Sequence, residues 1–301
     1  MPLNPGSKLK ERFGALFSFD YPLSRFFRVD MVMRAIHRFR FGSYMQTISR
    51  IRYALRWSLG HLGVSLFVAA LSAALVFGVW YPDPWRQLLG VASIFGLVVA
   101  VDVVCGPLLT LVLASPKKSR RERWVDISLV SAIQLIALAF GLWSVFVARP
   151  VAVVFEVDRL VVVTANEVQT DRLSEAPEGL QELPFFGVNY LSLRKPSSPE
   201  EFLRSVDESL QGVTQAMRPD WWLPFEDARP ELVKRSQPLS VLLDKRPDQR
   251  ELLIEAAKKT GQNLIDLRFM PLTSSKQSDW VALLNMSGDL VGYAPIDGFD
   301  D

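Results

Sequence analysis

Apolar positions are spread very unevenly along the chain. They gather into three long runs between residues 57 and 148. Residues 58–81 span 24 positions without an Asp, Glu, Lys or Arg, residues 88–114 span 27 with a single charge at Asp102, and residues 127–148 span 22 with none. A helix rises ~1.5 Å per residue and a bilayer's hydrocarbon core is ~30 Å thick, so about 20 residues cross it. Backbone in lipid must satisfy its own hydrogen bonds, so each run is predicted to be a transmembrane helix. Beyond residue 148 the pattern shortens. The β-branched stretches 151–157 and 159–163 predict two strands close to the membrane. Ser198-Pro199-Glu200-Glu201 is a capping signal that opens a helix running to about residue 211, closed by Gly212. A second helix is expected at 248–259 before Gly261, strands at 264–270 and 280–284, and a turn at 285–289 into a strand at 290–293. The fold class read from this pattern is a membrane protein: three transmembrane α-helices in residues 57–148, followed by a small α+β periplasmic domain in residues 149–301, and preceded by an extension in residues 1–56.

Charge orients the pattern. Residues 1–148 hold 17 Lys+Arg against 7 Asp+Glu, while residues 149–301 hold 17 against 25. Arg50, Arg52 and Arg56 precede the first run, one Arg lies between the first and second, and five basic residues (Lys117, Lys118, Arg120, Arg121, Arg123) lie between the second and third. Short basic loops stay in the cytoplasm. The expected arrangement is a multi-pass protein of a bacterial inner membrane with a cytoplasmic N-terminus and the acidic C-terminal domain in the periplasm. Trp57, Trp80, Tyr81, Trp85 and Trp124 stand at run edges, where interfacial aromatics are expected. The extension interleaves basic and apolar residues, as in Phe26-Phe27-Arg28-Val29, and is expected to lie on anionic lipid headgroups. No nucleic-acid recognition motif accompanies its charge.

Candidate chemistry is sparse. The only histidines are His37 and His61, the only cysteine is Cys105, and the C-terminal domain has neither. Ser-His-Asp and Cys-His triads, His-metal sites and phosphate-binding glycine loops are therefore missing from that domain. Paired-carboxylate catalysis stays open, although no pair of Asp or Glu residues stands out in the sequence. The polar residues inside the apolar runs carry the interest. Asp102 lies near the middle of the second run, where an ionised carboxylate costs ~2.5–3.5 kcal/mol, and Pro107 follows five residues later, where it removes a backbone donor. Three roles compete for Asp102: a packing link to Gln134 or a serine of a neighbouring helix, a contact to a partner's transmembrane helix, or a proton or ion relay. Gln134 is expected to make an interhelical hydrogen bond, and His61 and Ser65, four residues apart, a polar seam on the first helix.

The succession His61…Ser65, Trp80-Tyr81-Pro82, the run from Asp102 through Gly106-Pro107-Leu108-Leu109-Thr110, Lys117-Lys118, Asp126, Gln134, Gly141, Ala148-Arg149-Pro150-Val151 and Phe155-Glu156-Val157-Asp158-Arg159 resembles the type IV pilin accessory proteins of the TfpX/TfpZ kind. The resemblance covers residues 54–165 best. It implies a protein that helps a cognate type IV pilin reach assembly and that is no enzyme and carries no cofactor, metal or catalytic residue; the three helices are expected to hold the pilin's apolar stem and the outer domain to shield its head. The partner-binding residues it suggests are Asp102, Pro107, Gln134, His61 and Ser65 in the membrane, and Glu156, Asp158 and Arg159 outside. A membrane-anchored sensor subunit and a pilin-modifying enzyme are the alternative readings.

Overall fold

The computed structural model describes residues 44–299, so most of the basic segment expected to meet lipid headgroups lies outside the described residues. Among the described residues three helices are long and apolar enough to cross a membrane. The first, α1 (Tyr44–Leu75), ends in one π-turn, Val76–Trp80, and begins upstream of the apolar run because nothing in residues 44–57 breaks a helix. A short turn, α2 (Trp85–Leu88), lies between it and α3 (Val91–Leu113), and α4 (Arg120–Val147) completes the set. Ser119 caps α4: its hydroxyl accepts from the Glu122 amide at 3.2 Å, and the Glu122 carboxylate accepts from the Ser119 amide at 2.8 Å. Leu59, Leu66, Phe67, Leu97, Ile136 and Phe140 are exposed on these helices, as lipid-facing side chains must be.

The C-terminal domain is a mixed sheet of eight strands flanked by short helices. In chain order these are β1 (Pro150–Glu156), β2 (Arg159–Thr164), β3 (Asn189–Leu193), α5 (Pro199–Leu210), β4 (Trp222–Pro224), α6 (Arg229–Arg235), β5 (Gln237–Pro238), α7 (Leu239–Lys245), α8 (Arg250–Lys259), β6 (Arg268–Ser274), β7 (Trp280–Leu284) and β8 (Leu290–Ala294). The spatial order is β4-β3-β1-β2-β6-β7-β8, with β5 paired to β6. β1–β3 and β2–β6 are parallel and the remaining pairs antiparallel. The strand expected at 264–270 sits four residues later, because Leu264–Asp266 turns as a 3₁₀ helix before the chain extends.

Alternation along the strands splits the core in two. Val153, Phe155, Leu160, Val162, Met270, Leu272, Trp280, Ala282 and Leu284 bury one face of the sheet, and they do so against Val76, Trp80, Tyr81, Trp85, Leu88, Phe95 and Val145 of the membrane helices and their connection. Val281, Leu283 and Phe269 point the other way, under α7 and α8. Helices and sheet thus share one hydrophobic core. The sheet curls around it: the Tyr190 hydroxyl on β3 meets that of Tyr293 on β8 at 3.0 Å although four strands separate them in the sheet order. Burial, and secondarily Tyr190, push the Tyr293 phenol well above its usual range, so it remains a neutral hydrogen-bonding partner. Trp85 fills the concavity, edge-on to Tyr293 at 5.2 Å between ring centroids. Trp80, Tyr81 and Trp85, expected at the lipid interface, are instead buried in protein, whereas Trp57 and Trp124 remain exposed.

At the junction, Tyr81 donates its hydroxyl to the Val145 carbonyl at 3.0 Å. Arg149 donates to the Phe146 carbonyl at 2.9 Å and, through Nε and Nη2, to the Pro184 carbonyl at 3.2 and 3.0 Å, with its guanidinium 3.8 Å from the Phe146 ring centroid. One residue therefore ties the end of α4 to the loop before β3.

Helix α5 is fastened by its polar side. Arg194 donates to the Glu201 carboxylate at 2.6 Å, Arg172 to Glu208 at 3.3 Å, and Arg218 bridges Glu208 and Asp220. Ser198 caps the helix by accepting from the Glu201 amide, but the Glu201 carboxylate reaches back to Ser197 rather than to the cap residue. Phe202, Leu203, Val206 and Leu210 are left facing outward.

Candidate functional site

The polar residues of the apolar runs converge. Ser58, His61 and Ser65 recur at a spacing of three and four along α1, so they share one face of that helix. The Ser58 hydroxyl donates to the Pro107 carbonyl at 2.8 Å, and His61 Nδ1 lies 2.6 Å from Thr110 Oγ1, which joins α1 to α3. Gln134 Nε2 on α4 donates to the Asp102 carbonyl oxygen at 2.8 Å and to its carboxylate Oδ1 at 3.1 Å, which joins α4 to α3. Between these links lies a crevice of about 130 Å³, lined by His61 and Ser65 of α1, Asp102 of α3 and Ser131 and Gln134 of α4, with Val64, Val68, Leu135 and Leu138 as its apolar wall. The Gln134 carbonyl Oε1 is buried without a hydrogen-bond partner among the described residues. An acceptor in that state costs ~1–3 kcal/mol, so the crevice is primed for a donor.

Glycine sets the spacing of α3 and α4. A Cβ on Gly106 would collide with the Gln134 side-chain amide, and one on Gly141 would come within 2.6 Å of Val98 Cγ1. Gly106 therefore admits the Gln134 head group that reaches Asp102. Gly106→Ala is expected to destabilise the protein by ~1–3 kcal/mol through overpacking. Thermal unfolding in detergent should show this as a lower midpoint that recovers in Gly106→Ala/Gln134→Ala; a double variant no better than the single one would refute the packing account.

Of the residues picked out in the sequence, His61, Ser65, Asp102 and Gln134 line one crevice. Pro107 lies beside it as a carbonyl acceptor within an unbroken α3. Ser58 and Ser131 belong to the same constellation and carry no signal in the sequence, since a single small residue in an apolar run has none of its own; Gly106 and Thr110, also part of it, enter the sequence reading only through the family resemblance. Glu156, Asp158 and Arg159 are elsewhere, at the β1–β2 hairpin. There Glu156 faces Arg159 across the strands, Arg159 bonds Asp158 at 2.9 Å and lies over the Phe299 ring at 4.6 Å, and Val157 holds a left-handed φ of 58°, a strained conformation for a β-branched residue.

Burial raises the Glu156 carboxyl above its ordinary value of 4.5 despite the opposing pull of Arg159. A carboxyl with a raised folded value contributes stability in full below the unfolded value, and that stability is lost as pH rises through the folded one. Glu156→Gln should therefore match the parent protein in unfolding midpoint near pH 4 and exceed it at pH 7. Equal midpoints at both pH values would overturn the assignment. No group of three or more His, Cys, Asp or Glu side chains among the described residues is arranged to hold a metal ion.

The family profile described as fimbrial assembly protein FimB matches residues 49–90, the stretch that carries α1 and the Trp80–Trp85 connection. A fimbrial assembly protein of Dichelobacter nodosus serogroup I is 34% identical over 252 residues, covering 83% of this chain and 98% of that protein. The serogroup E1 protein is 32% identical over the same shares, and the protein of serogroups C1 and C2 is 42% identical over 127 residues, 42% of this chain. No solved structure matches. A likeness that runs through the three helices and on into the sheet domain covers the crevice and the junction alike: the chain belongs to the family of fimbrial assembly proteins.

Proposed function

We propose that this protein is an inner-membrane accessory protein, of the TfpX/TfpZ kind, that stabilises a type IV pilin and promotes its assembly into fimbriae without acting as an enzyme. The observation that carries the reading is the crevice among the apolar helices at which Asp102, Gln134, His61 and Ser65 meet, with an acceptor left open on Gln134 beside Asp102. Polar groups at that depth are costly unless they serve a partner or a pathway. Three helices with one carboxylate make a poor transporter, which needs repeats and several polar groups. A membrane-embedded pilin stem that offers a donor would pair with Asp102 and Gln134 beside Ser65, while the His61–Thr110 and Ser58–Pro107 links hold α1 against α3. The basic loop before α4 and the acidic domain after it support a cytoplasmic N-terminus and a periplasmic sheet domain. In that orientation the basic residues of 1–56 meet anionic headgroups of the inner leaflet, and Glu156, Asp158 and Arg159 are available to the pilin head.

The test compares cells with and without this protein. Expected are lower pilin abundance and fewer surface fimbriae in its absence, with the mass of mature pilin unchanged. A changed pilin mass would favour a modifying enzyme, and a phenotype that persists in cells lacking pilin would favour a sensor; either result overturns the reading.

A further inference from the structure

The strand order ends on two outer strands, β4 and β8, which are built differently; the two-residue β5, paired to β6 alone, is blunted by Pro238. β4 has three residues and ends in Pro224, which cannot donate a backbone hydrogen bond. β8 has five residues, Leu290–Ala294, with neither a charge nor a proline, and among the described residues no strand pairs with its outer side. Edge strands are normally blunted by brevity, charge or proline, because a row of open N–H and C=O groups is a template for another chain. β4 follows that rule and β8 departs from it.

The open side of β8 is not flat surface. It faces a cleft of about 560 Å³, well within the ~300–1,000 Å³ of ligand clefts. Val291, Gly292 and Tyr293 form its strand side, Ala256 and Lys259 of α8 one wall, and Gln87 of the connection between α1 and α3 the other. Gly292 has no side chain to close the gap; a Cβ there would come within 2.9 Å of Thr260 Cγ2. The wall carrying Gln87 belongs to the turn from which α1 and α3 enter the membrane, so the cleft opens where a neighbouring chain would leave the bilayer.

We propose that this cleft receives an extended polypeptide segment that adds to the sheet alongside β8. The open backbone groups select an extended main chain, and Asp83, Glu255 and Lys259, which also line the cleft, offer charged partners to its polar side chains. Resting on the assembly reading above, the segment is the one that follows the membrane stem of a fimbrial subunit, at the point where it passes from the bilayer toward the head.

The experiment uses the full chain co-expressed with the full-length fimbrial subunit of the same cells and purified together in detergent. Hydrogen exchange of the β8 amides is expected to slow at least tenfold in the complex, with α5 amides unchanged. Gln87 is exposed, so Gln87→Trp should fill the cleft, cut co-purified subunit at least fivefold and leave the protein's own unfolding midpoint in place. A photocrosslinker at position 87 should give a product of the protein plus one subunit. A complex that forms with β8 exchange unchanged overturns the cleft and leaves the assembly reading standing. A crosslinked product of twice the protein's own mass assigns the cleft to a second copy and overturns the proposal. Failure of any complex to form overturns both.

Discussion

Asp102→Leu should leave the protein in the membrane at normal abundance and lower surface fimbriae at least tenfold. Two magnitudes set this expectation. Removing a carboxyl group from the middle of a transmembrane helix relieves up to ~2.5–3.5 kcal/mol of insertion cost, while the side-chain hydrogen bond it forfeits to Gln134 is worth ~0.6 kcal/mol on average within a membrane. The stronger backbone tie, from Gln134 to the Asp102 carbonyl oxygen at 2.8 Å, survives the substitution. The variant protein is thus no less stable, and any fall in fimbriae reports a lost contact. Asp102→Asn keeps an acceptor and should fall between the two. Immunoblotting of the protein beside a count of sheared surface fimbriae checks the pair; unchanged fimbriae at equal protein levels would remove Asp102 from the mechanism.

The second large effect concerns the junction. Trp85→Ala should lower the unfolding midpoint in detergent, with a loss of ~3–5 kcal/mol, the usual range for emptying a buried tryptophan site. Trp85 is 4% exposed and fills the concave face of the sheet against Tyr293. Its loss opens a void between the membrane helices and the sheet, so protease should cut the C-terminal domain of the variant under conditions that spare the parent. An unchanged midpoint would mean that the indole is not part of the shared core.

The three membrane helices were legible in the sequence because a bilayer imposes one length and one composition on whatever crosses it. The β1–β2 hairpin and α5 were legible from β-branched runs and a cap. So were β7 and β8, expected at 280–284 and 290–293, and α8, expected at 248–259, while β3, β4 and β5 were not. β3, β4 and β5 have five, three and two residues, too few to show a period, and they are placed by pairing with strands far along the chain. Trp80, Tyr81 and Trp85 were read as interfacial because a run-edge aromatic looks the same in sequence whether a headgroup or a folded domain covers it. In the crevice, Asp102 and Gln134 stood out as costly exceptions, and their mutual hydrogen bond follows one of the readings open for Asp102. Gly106 did not stand out, since its role lies in the space it leaves for a side chain 28 positions away.

The common core of bundle and sheet has a consequence for how the molecule comes into being. Nine inward side chains of the sheet, from Val153 to Leu284, share one cluster with side chains of the membrane helices and their connection, which are synthesised earlier. The C-terminal half emerging on its own is a curved apolar bowl with nothing in it, sticky enough to aggregate. Translation order resolves this hazard, because the plug is anchored before the bowl exists. A fragment severed at the last membrane helix and expressed as a soluble domain is accordingly expected to precipitate, and to be rescued only by supplying residues 44–148 in trans.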